Sequence, residues 1–255
     1  MTATHLLRSL PLAALSAALF TAPLHAQSNT LSGAVAVSSQ LIDRGLAVSP
    51  VTPILQGNVT WTSASGWMLG LSAATETRSP GHGSEAMAQV AHYWSLTDDW
   101  RMQAGVVYYG YPGNPEGRPF DRVETGLNWM YRDVLSIGLA AITLTHGSDH
   151  SPTGAADVDF HWPLPQNFAV SAGLGVAQPL TRSGGYWGYV SGGAYNWYAY
   201  HRSERMRSYY GYGHVGLSWG YESWRVELDR VFTDPDIRRQ GSAAAPWVAT
   251  ISWAF

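Results

Sequence analysis

Trp100-Arg-Met-Gln-Ala-Gly-Val-Val-Tyr-Tyr109 is the stretch on which the fold turns. Trp100, Met102, Ala104, Val106 and Tyr108 alternate with Arg101, Gln103, Gly105, Val107 and Tyr109. Successive side chains of a strand point to opposite faces, so the segment has one apolar face and one that is largely polar or small. A helix would need apolar residues three and four apart. The same period of two recurs on both sides. Val123, Thr125, Leu127 and Trp129 alternate with Arg122, Glu124, Gly126 and Asn128. Ala156, Val158, Phe160 and Trp162 alternate with Asp157, Asp159 and His161; Trp224, Val226 and Leu228 alternate with Arg225, Glu227 and Asp229. The last segment does the same, with Trp247, Ala249, Ile251, Trp253 and Phe255 on one face and Val248, Thr250, Ser252 and Ala254 on the other.

The connections alternate between tight and long. The tight ones fall at 64–66, 96–99, 131–133, 163–167 and 220–223, and lead straight into Trp67, Trp100, Val134, Phe168 and Trp224. The long ones fall at 43–53, 77–85, 111–119, 146–153, 179–207 and 234–244. This predicts twelve strands, at 30–42, 54–63, 67–76, 86–95, 100–110, 120–130, 134–145, 154–162, 168–178, 208–219, 224–233 and 245–255. An even number suits a single-chain barrel, and ~10 tilted residues cross a bilayer.

Composition narrows the class. The 255 residues are 13% charged and 13% aromatic, with 12 Trp, 14 Tyr and 27 Gly, against a usual charged fraction of ~25%. All 15 basic residues are Arg against 18 acids, a net charge of -3, which excludes the basic footprint of a nucleic-acid binder. There is no Cys, hence no disulfide and no thiolate site. The expected class is all-β: a transmembrane antiparallel up-and-down β-barrel of twelve strands. A soluble β-sandwich would bury its apolar face in a core and would not need an aromatic after nearly every short turn; Trp and Tyr belong at the two membrane interfaces.

Residues 1–26 read as a cleaved signal peptide, with Arg8 ahead of an apolar core at 10–20 and Leu24-His-Ala26 before the cut. Residues 27–255 are then the outer-membrane β-barrel, with 14 Arg (15 − 1) against the same 18 acids.

Several short motifs are shared with a known family. Leu31-Ser-Gly-Ala-Val-Ala-Val-Ser-Ser39, Arg44-Gly45, Ile54-Leu-Gln-Gly57, Ser65-Gly-Trp67 and Gly70 resemble the TorF-type porin family. That family opens with a Ser-Gly strand, an Arg-Gly at the start of the first loop, a Gln-Gly strand and a Ser-Gly-aromatic turn. Pro163-Leu-Pro165 and His214-Val-Gly216 are weaker matches, and Gln40-Leu41 stands where the family often has Asp-Tyr. The resemblance implies a porin-like barrel and names no active residue.

With the apolar stripes facing lipid, Gln56, Asn58, Glu76, Gln89, Gln103, Asn128, His161, His214 and Asp229 face the lumen. So do Arg101, Arg122, Glu124, Asp157, Asp159, Arg225 and Glu227, the residues expected to set selectivity. An Arg at mid-depth on the lipid face would cost ~2–4 kcal/mol. Arg122–Glu124 and Arg225–Glu227 are paired on one face. They line a polar pore or, by neutralising each other, close a narrow one. Small residues such as Ser136, Gly138, Ser171, Gly173 and Gly175 leave room inside and favour the pore. His92 falls outward beside Val90 and Trp94, which places it near an interface unless that strand's register is slipped.

Three other features bear on function. The 184–207 segment is rich in Tyr and Trp; Trp187, Tyr189, Trp197, Arg202 and Arg205 could form a ligand loop built as a hairpin around Gly192-Gly193, or extend the aromatic girdle. His146 and Ser148 have the His-x-Ser spacing of outer-membrane lipid hydrolases, but lie inward or in a loop where lipid cannot reach them. The spacings of His146, Asp149 and His150, and of Asp157, Asp159 and His161, are poor for one metal ion. Asp234-Pro-Asp236 reads as a turn. The reading is therefore a porin-like bacterial outer-membrane channel for passive diffusion of small hydrophilic solutes, without catalytic residues, metal or cofactor. Its partners are outer-membrane lipid, those solutes and, through Phe255, the barrel assembly machinery. The alternative is a closed structural or surface-binding barrel acting through 184–207.

Overall fold

The computed structural model describes residues 29–80, 85–113, 118–146, 150–180, 189–190, 194–195, 208–239 and 241–255. Twelve antiparallel strands form a closed barrel: β1 (Thr30–Ser38), β2 (Ile54–Thr62), β3 (Trp67–Glu76), β4 (Glu85–Ser95), β5 (Trp100–Gly110), β6 (Arg122–Tyr131), β7 (Leu135–Leu144), β8 (Thr153–Pro163), β9 (Phe168–Ala177), β10 (Tyr210–Tyr221), β11 (Trp224–Thr233) and β12 (Trp247–Ala254). Each strand pairs with its neighbours in sequence, and β1 closes on β12 through Ala34↔Ala254 to Ser38↔Thr250. Closure removes the sheet edge, and in hydrocarbon only a structure that satisfies every backbone group internally can span.

The seam runs to the last residue. Gly33 N donates to Phe255 O at 3.0 Å, and Phe255 N donates to Gly33 O at 2.9 Å. A Cβ on Gly33 would meet the Phe255 ring at 2.6 Å, so the terminal ring lies where a β1 side chain would stand. This gives the Ser32-Gly33 motif a packing reason.

The alternation holds around the wall. Leu69, Leu71, Val106, Leu127, Leu139, Val158, Leu174, Val215 and Leu228 are exposed on the outer face. At the end of the barrel with the short turns, Trp61, Trp67, Trp94, Trp162, Phe168, Trp219, Trp224 and Trp253 form an outward aromatic belt. His92 belongs to it: its ring lies 4.8 Å from that of Trp67 and 4.6 Å from that of Trp94. The fourth strand is thus in the expected register. Among the described strand residues, Arg230 is the single charge on the outer face. It lies at the loop end, its guanidinium 5.1 Å from the Trp247 ring and 5.8 Å from Phe232, where a lipid-facing Arg costs only ~0–1 kcal/mol.

The structure corrects three expectations. β1 ends at Ser38 rather than at 42, and the first long connection does not extend outward. It folds into the barrel as a small hairpin in which Ile42–Asp43 pairs with Leu46–Ala47. Glu85, expected in a loop, starts β4. Asp234-Pro-Asp236 opens the short helix α1 (Pro235–Arg239), with Asp236 N donating to Asp234 Oδ1 at 2.9 Å.

The hairpin enters because its flanks are apolar and the barrel mouth is the nearest place to bury them. Leu41 and Val48 pack with Ile54, Ala74, Tyr111 and Phe120. Leu46 packs with Ile142, Ala155, Ala177, Tyr210 and Ile237. Ile42 packs with Val231 and Val248. Its backbone groups are satisfied by the wall and by the loop before β12. Thr233 Oγ1 and Ala244 N both donate to Gly45 O, at 2.8 and 2.9 Å, and Ala47 N donates to Ser242 O at 3.0 Å. Gln40 Nε2 donates to Ser49 O at 2.9 Å, and Ala245 N donates to Gln40 Oε1 at 2.7 Å.

Candidate functional site

The hairpin tip is Arg44-Gly45, with φ of 47° and 78°. A two-residue turn with both φ positive is the type that matches strand twist, and its second position favours Gly. Here Gly is required twice over, since a Cβ would meet Tyr212 Cβ at 2.8 Å and Thr233 Oγ1 at 2.9 Å. The turn holds Arg44 over the lumen. Its Nη1 donates to Glu124 Oε1 at 2.9 Å and its Nη2 donates to Glu124 Oε2, a two-pronged contact between the first loop and β6.

Glu124 also accepts from Arg122 Nε at 2.7 Å. Arg122 is 1% exposed, yet it is fully engaged. Its Nη2 donates to Asp43 Oδ2 at 2.7 Å, its Nη1 donates to Tyr111 Oη at 2.7 Å, and its guanidinium lies 4.1 Å from the centre of the Tyr109 ring. Asp43, Arg44, Arg122 and Glu124 therefore form a charge-balanced network joining the hairpin to β6. Burying such charges requires this degree of pairing, because each unpaired ion would cost several kcal/mol.

Below the network lies a chamber of about 120 Å³. Arg44, Tyr109 and Glu124 bound it on the loop side, Gln89, Gln103 and Asn128 on one wall, and Asp157, Asp159, Tyr212 and His214 on the other. Asp157 and Asp159 each lie across a glycine of a neighbouring strand. A Cβ on Gly138 would meet Asp157 Oδ2 at 2.5 Å, and one on Gly173 would collide with Asp159 Oδ1 and with the His214 ring. Asp229 lies in the same way over Gly216. Pairing these carboxylates with glycines lets them lie flat on the wall and leaves the chamber its space.

The expected lumen residues all face inward, but at three levels. Arg122 and Glu124 belong to the network under the hairpin. Asp157 and Asp159 line the chamber. Arg225, Glu227 and Arg101 lie toward the turn end: Arg225 Nη2 contacts Glu227 Oε1 at 2.5 Å and donates to Ser218 Oγ at 3.0 Å, and Arg101 Nη2 contacts Asp133 Oδ1 at 3.2 Å. Sequence reasoning missed Asp43, Arg44, Tyr109, Tyr111 and Tyr212 as site residues. One signal was available. The first connection carries Leu41, Ile42, Leu46, Ala47 and Val48, an unusual load of apolar residues for a solvated loop.

Of the proposed ligand loop, Trp187, Trp197, Arg202 and Arg205 lie outside the described residues. Tyr189 pairs antiparallel with Tyr195 and Val190 with Ala194; the expected turn at Gly192-Gly193 lies outside the described residues. His146 is partly exposed beyond β7, its Nδ1 3.1 Å from Thr145 Oγ1, and Ser148 lies outside the described residues. Among the described residues no three of His, Cys, Asp and Glu converge as a metal site.

Solved structures share this architecture. The KdgM porin superposes with a TM-score of 0.53 at 8% identity, over 88% of this chain and 98% of that one. A structure titled "KdgM porin in complex with disordered oligogalacturonate" gives 0.51 at 11% identity, over 88% and 99%. The NanC porin gives 0.50 at 12% identity, over 88% and 98%. At such identities the likeness is one of fold. No curated protein matches the chain by sequence. A family model described as "Bacterial protein of unknown function (Gcw_chp)" matches residues 24–180, which include the hairpin, the Arg122–Glu124 pair and the β8 carboxylates. The chain belongs to that family.

Proposed function

We propose that this chain is a bacterial outer-membrane channel for passive diffusion of small hydrophilic solutes, narrowed near its outer mouth by the first-loop hairpin. The observation that carries this reading is a chamber, into which Gln89, Gln103, Asn128, Asp157 and Asp159 project, inside a barrel whose outer face is apolar. Twelve strands enclose more space than their own side chains fill. Within this reading residues 1–26 are removed on export, the short turns face the periplasm, and Phe255 on the closing strand presents the signal read by the assembly machinery. Arg101, Arg122, Glu124, Asp157, Asp159, Arg225 and Glu227 tune selectivity. The shared Ser32-Gly33, Arg44-Gly45 and Gln56-Gly57 motifs support a TorF-type membership.

The decisive experiment is single-channel recording of refolded residues 27–255 in a planar bilayer, with folding checked by heat-dependent gel mobility. A second protein carries a Gly-Ser linker in place of residues 41–48. Discrete small steps are expected, and steps several-fold larger without the hairpin. Two folded but silent proteins would sink the channel reading. The filled mouth favours one variant of it, in which the intact chain is closed at rest and conducts only when the hairpin leaves.

A further inference from the structure

We propose that the chamber beneath the hairpin is a site for a small organic cation bearing a primary ammonium group, and that the channel favours cations over anions. This rests on the channel reading above and adds the class of its solute.

The first support is the distribution of charge. Each lumen arginine has a carboxylate partner: Arg44 has Glu124, Arg122 has Asp43 and Glu124, Arg101 has Asp133, and Arg225 has Glu227, with Arg225 Nε and Nη1 left without a hydrogen-bond partner. Among the described residues no arginine is in ion-pair contact with Asp157, Asp159 or Asp229; Arg44 acts on Asp157, and Arg225 on Asp229, from farther off. The nearest basic group to Asp159 is His214, whose Nε2 is 4.0 Å from Oδ1. The chamber wall is therefore acidic, and low-dielectric walls of one sign concentrate counter-ions.

The second support is independent of charge. Gln103, 2% exposed, and Gln89, 6% exposed, face the chamber. Gln103 Oε1, Gln89 Oε1 and Nε2, and Asn128 Oδ1 are buried there without a hydrogen-bond partner, and so is His214 Nε2, on a residue 4% exposed. Three of these orphaned atoms are amide oxygens, which only accept. Leaving a buried acceptor unmade costs ~1–3 kcal/mol. These acceptors outnumber the one orphaned amide donor, Gln89 Nε2, so the chamber chiefly lacks a donor, and an ammonium brings three with a positive charge. A bare metal ion fits less well. Among the described residues no three of His, Cys, Asp and Glu converge there to hold one. An alkylammonium can donate to one carboxylate and to the amide oxygens across the chamber.

The test combines conduction with binding, using refolded residues 27–255 and putrescine as the probe. Reversal potentials in a KCl gradient should show potassium several-fold more permeant than chloride. Putrescine should reduce the potassium current and bind the detergent-solubilised barrel by calorimetry. Asp157→Asn/Asp159→Asn should bring the permeability ratio toward one and weaken putrescine about tenfold or more, ~1.4 kcal/mol. Asp159→Asn alone serves if the double variant does not fold. A conducting channel that prefers chloride, or binds putrescine equally after the substitutions, overturns the cation site and leaves the channel reading standing. A barrel silent both intact and with residues 41–48 replaced, but whose putrescine binding depends on Asp157 and Asp159, does the reverse. A barrel silent in both forms that binds no putrescine overturns both.

Discussion

The mouth of the barrel and the chamber below it are cut from the same wall, yet they treat charge in opposite ways. At the mouth, Asp43, Arg44, Arg122 and Glu124 satisfy one another, and each of the three Arg122 nitrogens donates to a carboxylate or a hydroxyl while its face lies against a ring. In the chamber, Asp157 and Asp159 lie over glycines with no arginine partner among the described residues, and neighbouring amide oxygens have nothing to accept. The lesson is that pairing depends on what covers a charge. The network is buried by the chain's own hairpin and must be complete without help. The chamber carboxylates border open space, where water or solute can finish the coordination.

The largest effect expected from breaking that contrast is at Glu124. Glu124→Ala removes a partner of two arginines at once and leaves Asp43 as the one carboxylate in contact with both, an unbalanced buried charge at a cost of ~3–5 kcal/mol. The gel-shift temperature should fall, and conductance should rise as the hairpin loosens; unchanged values for both would mean that the network does not hold the hairpin. Next comes Gly45→Ala, which puts a Cβ within 2.8 Å of Tyr212 Cβ at a φ of 78°. Off-conformation strain of ~1–3 kcal/mol should push the hairpin outward. The check is protease cleavage in the first loop, absent from the parent and present in the variant. Gly173→Ala sharpens the comparison from the chamber side. The added methyl displaces Asp159 and His214, and overpacking costs ~1–3 kcal/mol. It should lower conductance while leaving the hairpin protected; a protein equally conductive would show that Asp159 does not lie at the narrow section. Arg132→Ala should do least. Arg132 pairs with Asp99 at 2.9 Å on the exposed turn rim, away from both regions, and neither gel shift nor conductance should change.

Much of this was legible in the chain. Trp100 to Tyr109 alone separates a lipid-facing from a lumen-facing set, and β3, β5 and β11 run between the expected residues. The short turns could be read because each needs specific conformers. Gly66 at φ 90°, Asn167 at 64° and Glu222 at 51° occupy the left-handed region that ends a strand sharply. The site was half legible. Arg122, Glu124, Asp157 and Asp159 could be placed by alternation, since a charge that cannot face lipid must face the lumen. Arg44 could not, because it stands on a connection where no period applies and its partner is eighty positions away.

Alternation and turn chemistry are local, so the sequence by itself determined the barrel, its strand count, the face on which each charge lies and the aromatic belt at the turn end. Which charges meet is not local. Arg44 finds Glu124 only because an apolar first loop, offered a mouth ringed by Tyr111, Ile142, Tyr210 and Val231, buries itself inside rather than in water. That choice belongs to the closed barrel, since the cavity the hairpin fills exists only once β1 has met β12. The same closure leaves Asp157, Asp159 and His214 around a shared space, and so decides where the open chamber lies.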